Sequence, residues 1–172
     1  MNTFALEIFD DQGKVCTFYT VKWDYATLSE TDKFFVKYEN DIKLRQPLQE
    51  LAVFISKKIG NETGALEDYF RFENDAHALP PSGAYKVEDI TINYEDFPLR
   101  LYCLRISKSL VVLFNGGEKT DIKAQGGKTS MSFHEANIFS KRIMDALTKR
   151  DIYITDDQRE FRSFDGSDDI LI

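Results

Sequence analysis

Few side chains in this sequence combine a reactive type with suggestive spacing, and most of them lie between residues 98 and 150. In the run Leu99–Ile106, Arg100, Tyr102 and Leu104 alternate with Leu101, Cys103 and Arg105. A strand there would carry one arginine on each face. An arginine in mid-strand either holds a phosphate through its planar fork or pairs with an acidic neighbour, because a lone buried charge is costly. Histidine is scarce: His77 lies near the loop Pro80-Pro81-Ser82-Gly83, and His134 falls in the first turn of a helix. The positive end of a helix lowers an imidazole pKa, so His134 is either a neutral base or an ordinary surface histidine.

Other chemistries are excluded by spacing. Gly127-Lys128-Thr129 ends like a phosphate-binding loop, but Ile122 stands where the first glycine of that motif must be. Gly116-Gly117-Glu118-Lys119-Thr120 fails as well, because Glu118 interrupts the Gly-Lys pair. No His, Cys, Asp or Glu group has metal-ligand spacing, and no serine or cysteine has a nominated base. Cys16 and Cys103 sit singly in strand-like runs and read as buried, reduced thiols.

These residues need elements to hold them. Phe4–Phe9 and Lys14–Trp23, joined by Asp10-Asp11-Gln12-Gly13, read as an N-terminal hairpin. A helix over Ser29–Glu39 has Ser29 as N-cap, and a second begins near Pro47 and stops at Gly60. The two make an antiparallel helical pair, followed by a short helical segment at Ala65–Phe70. Tyr85–Tyr94 reads as one strand or two short ones. Leu99–Ile106 and Leu110–Phe114 form a tight hairpin about Lys108-Ser109, with Gly116-Gly117 as a turn at its exit. A last helix starts at Ser132, where Ser132 and Glu135 have capping-box spacing. Its buried stripe is Ala136, Phe139, Ile143, Ala146 and Leu147, and Lys141, Arg142 and Lys149 lie on its polar face. Ile152–Thr155 adds a strand before an acidic tail, residues 151–172. The expected fold is α+β: an N-terminal hairpin and helix pair packed on an antiparallel β-meander, with a C-terminal helix, in a single domain of 172 residues.

Charge is unevenly distributed along a chain of net charge −7. Residues 98–150 hold ten Lys and Arg against four Asp and Glu, while both flanks are acidic. The basic stretch is either an anion-binding face or a set of solvated cations paired with the acidic flanks. No run approaches the length of apolar sequence needed to span a bilayer, and no leader is evident. The expectation is a cytoplasmic chain with no membrane association.

The run Leu99-Arg100-Leu101-Tyr102-Cys103-Leu104-Arg105, a short turn, Leu110–Phe114, and then Gly116-Gly117-Glu118-Lys119-Thr120 resembles the core of RelE/HigB-type toxins, particularly the phage-derived HigB-like group. The close match covers residues 98–120, and the order of elements matches more loosely over about 45–150. The resemblance implies a small α+β fold and a metal-independent mRNA endonuclease that needs no cofactor. It also implies a cognate antitoxin protein as partner, with mRNA or the ribosome as target. Cleavage would proceed by attack of a ribose 2′-OH on the neighbouring phosphate. Arg100, Arg105 and Lys119 would then be the cations that stabilise five-coordinate phosphorus, with Tyr102 or His134 handling protons. Lys123, Lys128, Lys141 and Arg142 would contact RNA. The chain exceeds that family's usual length by its N-terminal hairpin, first helix and acidic tail, and the tail could cover the basic face. The alternative is a non-catalytic protein-binding module that keeps the toxin-like fold.

Overall fold

The computed structural model describes residues 2–119 and 130–172. The fold is α+β. In chain order its strands and helices are β1 (Phe4–Asp10), β2 (Thr17–Trp23), α1 (Glu30–Tyr38), α2 (Arg45–Val53), β3 (Arg71–Glu73), β4 (Ala76–Leu79), β5 (Ala84–Val87), β6 (Ile90–Asn93), β7 (Leu99–Ser107), β8 (Leu110–Glu118), α3 (Met131–Thr148), β9 (Ile152–Ile154), β10 (Phe161–Ser163) and β11 (Ile170–Leu171). One seven-stranded sheet runs β11-β1-β2-β8-β7-β4-β3. The N-terminal hairpin therefore does not lie on the meander but extends the same sheet, through a parallel pairing of β2 with β8. The other pairings in the sheet are antiparallel. Two small hairpins, β5–β6 and β9–β10, stand outside it.

Alternation along the strands sorts the apolar residues onto two faces. Leu99, Leu101 and Cys103 of β7 and Val111 and Leu113 of β8 face one core, which Phe34 of α1 and Leu48 and Leu51 of α2 complete. Tyr102, Leu104, Leu110, Val112 and Phe114 face a second core, closed by Phe133, Ala136, Phe139 and Ile143 of α3. Both cysteines are buried free thiols. Desolvation holds the Cys16 thiol up at about 12, which keeps it protonated.

Helix boundaries follow local chemistry. Ser29 caps α1, its Oγ accepting from the Asp32 N–H at 3.1 Å. Gly60 does not end the second helix. From Phe54 to Thr63 the chain continues with π-helical winding and stops at Gly64 (φ 77°). The wider winding suits the Gly60 carbonyl to accept from the N–H groups of Val15 and Cys16, at 2.8 and 3.2 Å, which ties the helix to the β1–β2 loop. The short helical segment expected at Ala65–Phe70 is a single 3-10 turn, Glu67–Tyr69. For α3 the cap is Ser130, which accepts from the Phe133 N–H at 3.2 Å. The expected capping box of Ser132 and Glu135 is absent: Ser132 donates to the Gly116 carbonyl, and Glu135 accepts from the Trp23 indole.

The acidic C-terminal segment is built into the fold. β11 pairs with β1, and the Phe4 and Ile172 backbones exchange two hydrogen bonds of 2.9 Å. This makes the segment's end the edge strand of the sheet beside β1, while Ile152 and Phe161 pack in the core shared with Tyr102 and Leu104 of β7. Arg159 fastens it further. Its guanidinium donates to Thr17 Oγ1 at 2.9 Å, to the Lys14 carbonyl at 2.9 Å and to the Gly13 carbonyl at 2.6 Å. Arg159→Ala removes these charged donors from three acceptors and is expected to cost about 2–3 kcal/mol. Thermal melts would measure that loss. Faster amide exchange confined to residues 155–172 and the β1–β2 loop would distinguish a released segment from general loosening.

Candidate basic site and the arrangement around it

The strand pair holds Arg100 opposite Gly117 and Leu99 opposite Glu118. Lys119 follows directly, its backbone N–H on the Pro98 carbonyl at 2.7 Å. Arg100 and Lys119 therefore flank the same end of the β7–β8 ladder. The Arg100 guanidinium reaches across β4, where Ala76 and Ala78 leave room, to Glu73 of β3 at 4.0 Å. Lys119 Nζ lies 3.5 Å from Asp96, whose side chain is 91% exposed. The Lys119–Asp96 pair, with its carboxylate exposed, is worth about 0–1 kcal/mol, so a stronger anion can displace it. The Arg100–Glu73 pair is more sheltered, and its 4.0 Å separation leaves the guanidinium without a close carboxylate contact. Arg71 joins the group from β3. Its Nε donates to the Pro80 carbonyl at 3.0 Å and one terminal nitrogen to Ser82 Oγ at 2.9 Å. Burial and the neighbouring Arg100 charge both lower the Arg71 pKa, which shows the two guanidiniums within each other's field.

Tyr102 shares a face with Arg100 but is only 1% exposed. Burial raises its phenol pKa, partly offset by the neighbouring Ser130 side chain. Its ring packs edge-on against Phe133 at 6.0 Å. Tyr102 thus braces the first turn of α3 instead of facing solvent. His134 lies one residue further along that turn, exposed, with its backbone N–H on the Ser130 carbonyl. Lys141 and Arg142 sit further along α3, about 10 Å down its axis from His134. Lys141 is exposed, while the Arg142 guanidinium covers the Phe4 ring at 4.8 Å. Lys123 and Lys128 lie outside the described residues, as do Thr120 and the Gly127-Lys128-Thr129 stretch.

Arg105 is elsewhere. It is five residues from Arg100 along β7, about 16 Å at strand rise, and on the opposite face. Its Nε donates to the Ala65 carbonyl at 2.6 Å, and its guanidinium lies 3.8 Å from Glu67. The structure thus brings together Arg100 and Lys119 and links Tyr102 to the turn that carries His134. It does not bring Arg105, Lys141 or Arg142 to that end.

Two further clusters carry titratable groups. Around Arg105, a cavity of about 450 Å³ is lined by Glu67, Asp68, Phe70, Phe72 and His77. His77 Nδ1 accepts the Arg105 backbone N–H at 3.1 Å, and burial followed by the Arg105 charge lowers the imidazole pKa. The pairing of β3 with β4 and of β4 with β7 assembles this group from three separate segments, so nothing local in the sequence announces it. At the other end of the sheet, Glu30 is buried with Lys33 at 2.6 Å and Asn115 at 3.4 Å. Burial, with the Glu30 charge adding to it, raises the pKa of Glu135, which also accepts from Trp23. Among the described residues no group of three or more His, Cys, Asp or Glu side chains is placed to hold a metal ion. None of the described helices is long and apolar enough to cross a membrane.

No protein-family model matches this chain, and no curated protein or solved structure is significantly similar to it.

Proposed function

We propose that this chain is a RelE/HigB-like toxin component of a toxin–antitoxin pair, acting in the cytoplasm as a metal-independent endoribonuclease and held by a cognate antitoxin protein. The observation that carries this reading is the placement of Arg100 and Lys119 at one end of the β7–β8 ladder, each with a carboxylate at 3.5–4.0 Å as its ion-pair partner among the described residues. An RNA phosphate in reach of both would replace Glu73 and Asp96 as partner and receive two charge-assisted contacts. These cations would stabilise the dianionic, five-coordinate phosphorus formed when a 2′-OH attacks. Tyr102, buried and with a raised pKa, is unsuited to accept a proton near neutrality. His134 is the exposed candidate for that role.

Strong expression without an antitoxin is expected to arrest growth, and purified protein to cleave mRNA without added metal. Arg100→Ala with Lys119→Ala should relieve the arrest and lower cleavage by roughly 100-fold or more, the scale of removing a transition-state donor. Normal growth together with no cleavage at any salt concentration would sink this reading.

A second reading has its own support. With Arg105 on the opposite sheet face and Tyr102 enclosed, the cations and proton carriers implied by the toxin resemblance do not converge. A non-catalytic module that keeps the toxin-like fold and binds a protein partner fits that dispersal. It predicts a stable heterocomplex on pull-down and intact RNA in every assay.

A further inference from the structure

The cavity beside Arg105 takes no part in the proposed chemistry. It lies on the sheet face away from α3, at the open β3 edge. Its polar interior is made of donors. Because His77 Nδ1 accepts the Arg105 backbone N–H, the neutral imidazole carries its proton on Nε2. Among the described residues that Nε2 has no protein partner. Arg105 is held by Nε at the Ala65 carbonyl, and its two terminal nitrogens make no hydrogen bond among the described residues. Fixed on one side and unsatisfied on the other, both groups can donate into the cavity at little cost in ordering.

The walls are aromatic. Phe70 is buried and anchors one side, and its ring centroid lies 6.0 Å from the His77 ring. Phe72 projects from β3 with 84% of its surface exposed and its ring 5.5 Å from His77. An exposed phenylalanine next to unsatisfied donors offers a stacking surface beside an anion site. The carboxylates of Glu67 and Asp68 stand on the exposed rim. Glu67 is 85% exposed and 3.8 Å from Arg105, a contact too weak to hold the guanidinium against a phosphate.

We infer that this cavity binds a nucleoside monophosphate, with the phosphate on the Arg105 terminal nitrogens and His77 Nε2 and the base stacked on Phe72. The volume, about 450 Å³, suits one nucleotide and lies within the usual range of small-ligand sites. The guanidinium fork supplies bidentate recognition, and the aromatic face accepts any base. The depressed pKa keeps His77 neutral at pH 7, so the Nε2–H tautomer persists across the physiological range. The site stands independently of the toxin reading, because it uses the other sheet face and neither Arg100 nor Lys119.

The test is calorimetric titration of the full chain with adenosine 5′-monophosphate, with adenosine alone and inorganic phosphate alone as separate arms. The monophosphate is expected to bind more tightly than either part. Phe72→Ala should weaken it about tenfold, the scale of one lost stacking contact. Glu67→Gln should tighten it, because it removes the competing rim carboxylate. Both side chains are exposed, so both variants keep the fold. Arg105→Gln should reduce the monophosphate to the affinity of adenosine, with a melt checking the lost brace to Ala65. Absence of monophosphate binding to the unaltered chain, unchanged affinity in Phe72→Ala, or weaker binding in Glu67→Gln would each overturn the inference. Tighter binding of inorganic phosphate alone would identify an anion site without a base subsite and would overturn it as well.

Discussion

Gly116→Ala is expected to destabilise the protein by about 4 kcal/mol or more, a severity that single substitutions reach only through a few mechanisms. Here the mechanism is a collision of backbones. A Cβ on Gly116 would lie 1.9 Å from the Arg100 carbonyl oxygen and 2.9 Å from the Leu101 Cα. Neither atom belongs to a flexible side chain, so relief requires the strands to part. The close approach has a local cause. The register between β7 and β8 shifts between the Leu101–Gly116 and Cys103–Leu113 pairs, where β8 carries one residue more than its partner. That bulge presses the Gly116 segment onto β7, and the Asn115 side chain fixes it by accepting the Gly116 N–H at 2.8 Å. Parting the strands there would also dislodge Arg100 and Lys119. A fall in urea midpoint with unchanged slope would report lost stability, while a changed slope would report a looser native state. A loss below about 1 kcal/mol would mean that the strands do not approach so closely in solution.

That same glycine marks where the sequence stopped being legible. The alternation of Leu99–Ile106 and Leu110–Phe114 predicted the two strands and their turn at Lys108-Ser109, and the register pairs Ser107 with Leu110 across that turn. Gly116-Gly117 read as a turn because glycine pairs usually break strands. In the structure β8 runs through them to Glu118, since the glycines are needed for proximity and not for turning. Gly60 misled in a similar way: it is a sound stop signal by local rules, yet π-helical winding carries the helix on to Gly64. Ser132 and Glu135 had the right spacing for a cap, but tertiary partners, the Gly116 carbonyl and the Trp23 indole, claimed both side chains. Such competition lies beyond any local pattern.

The site was less legible than the fold. Strand periodicity correctly put Arg100 and Arg105 on opposite faces, and each has a carboxylate within 4.0 Å, in line with the expectation that such arginines pair with acidic neighbours. Those partners, Glu73 and Glu67, come from segments 27 and 38 residues away, on β3 and the 3-10 turn, and no spacing rule connects them. The His77 cavity is the extreme case, because every contact in it is made by strand pairing or loop closure. The acidic character of residues 151–172 was visible, but the role of Arg159 was not. One cation in that stretch reaches back to Gly13, Lys14 and Thr17 and makes the segment part of the fold.

The second large effect is expected at Phe139, where α3 meets the sheet. Its side chain is fully buried. The ring lies 4.9 Å from Phe4, 4.9 Å from Trp23 and 5.3 Å from Phe114, so it joins β1, β2 and β8 to one helix. Phe139→Ala removes most of a ring from the centre of this core and should cost about 3–5 kcal/mol, because rigid neighbouring rings cannot collapse into the gap. Phe139→Leu keeps much of the volume and should cost distinctly less. The chain's single tryptophan makes the event observable. Trp23 borders the cavity that would form, so a red-shifted, quenched native emission should accompany the lower melting temperature of Phe139→Ala. The consequence extends to both ends of the helix. The Asn137 side chain accepts the backbone N–H groups of Asp75 and Ala76 at 2.6 and 3.1 Å, holding α3 against the β3–β4 turn. Ser130 caps the first turn beside Tyr102, and that turn presents His134. If α3 rides on Phe139 as this packing requires, any RNA cleavage dependent on His134 should fall in Phe139→Ala even below its melting temperature. Cleavage retained in full by a Phe139→Ala protein that remains folded would show that the helix contributes nothing to the chemistry.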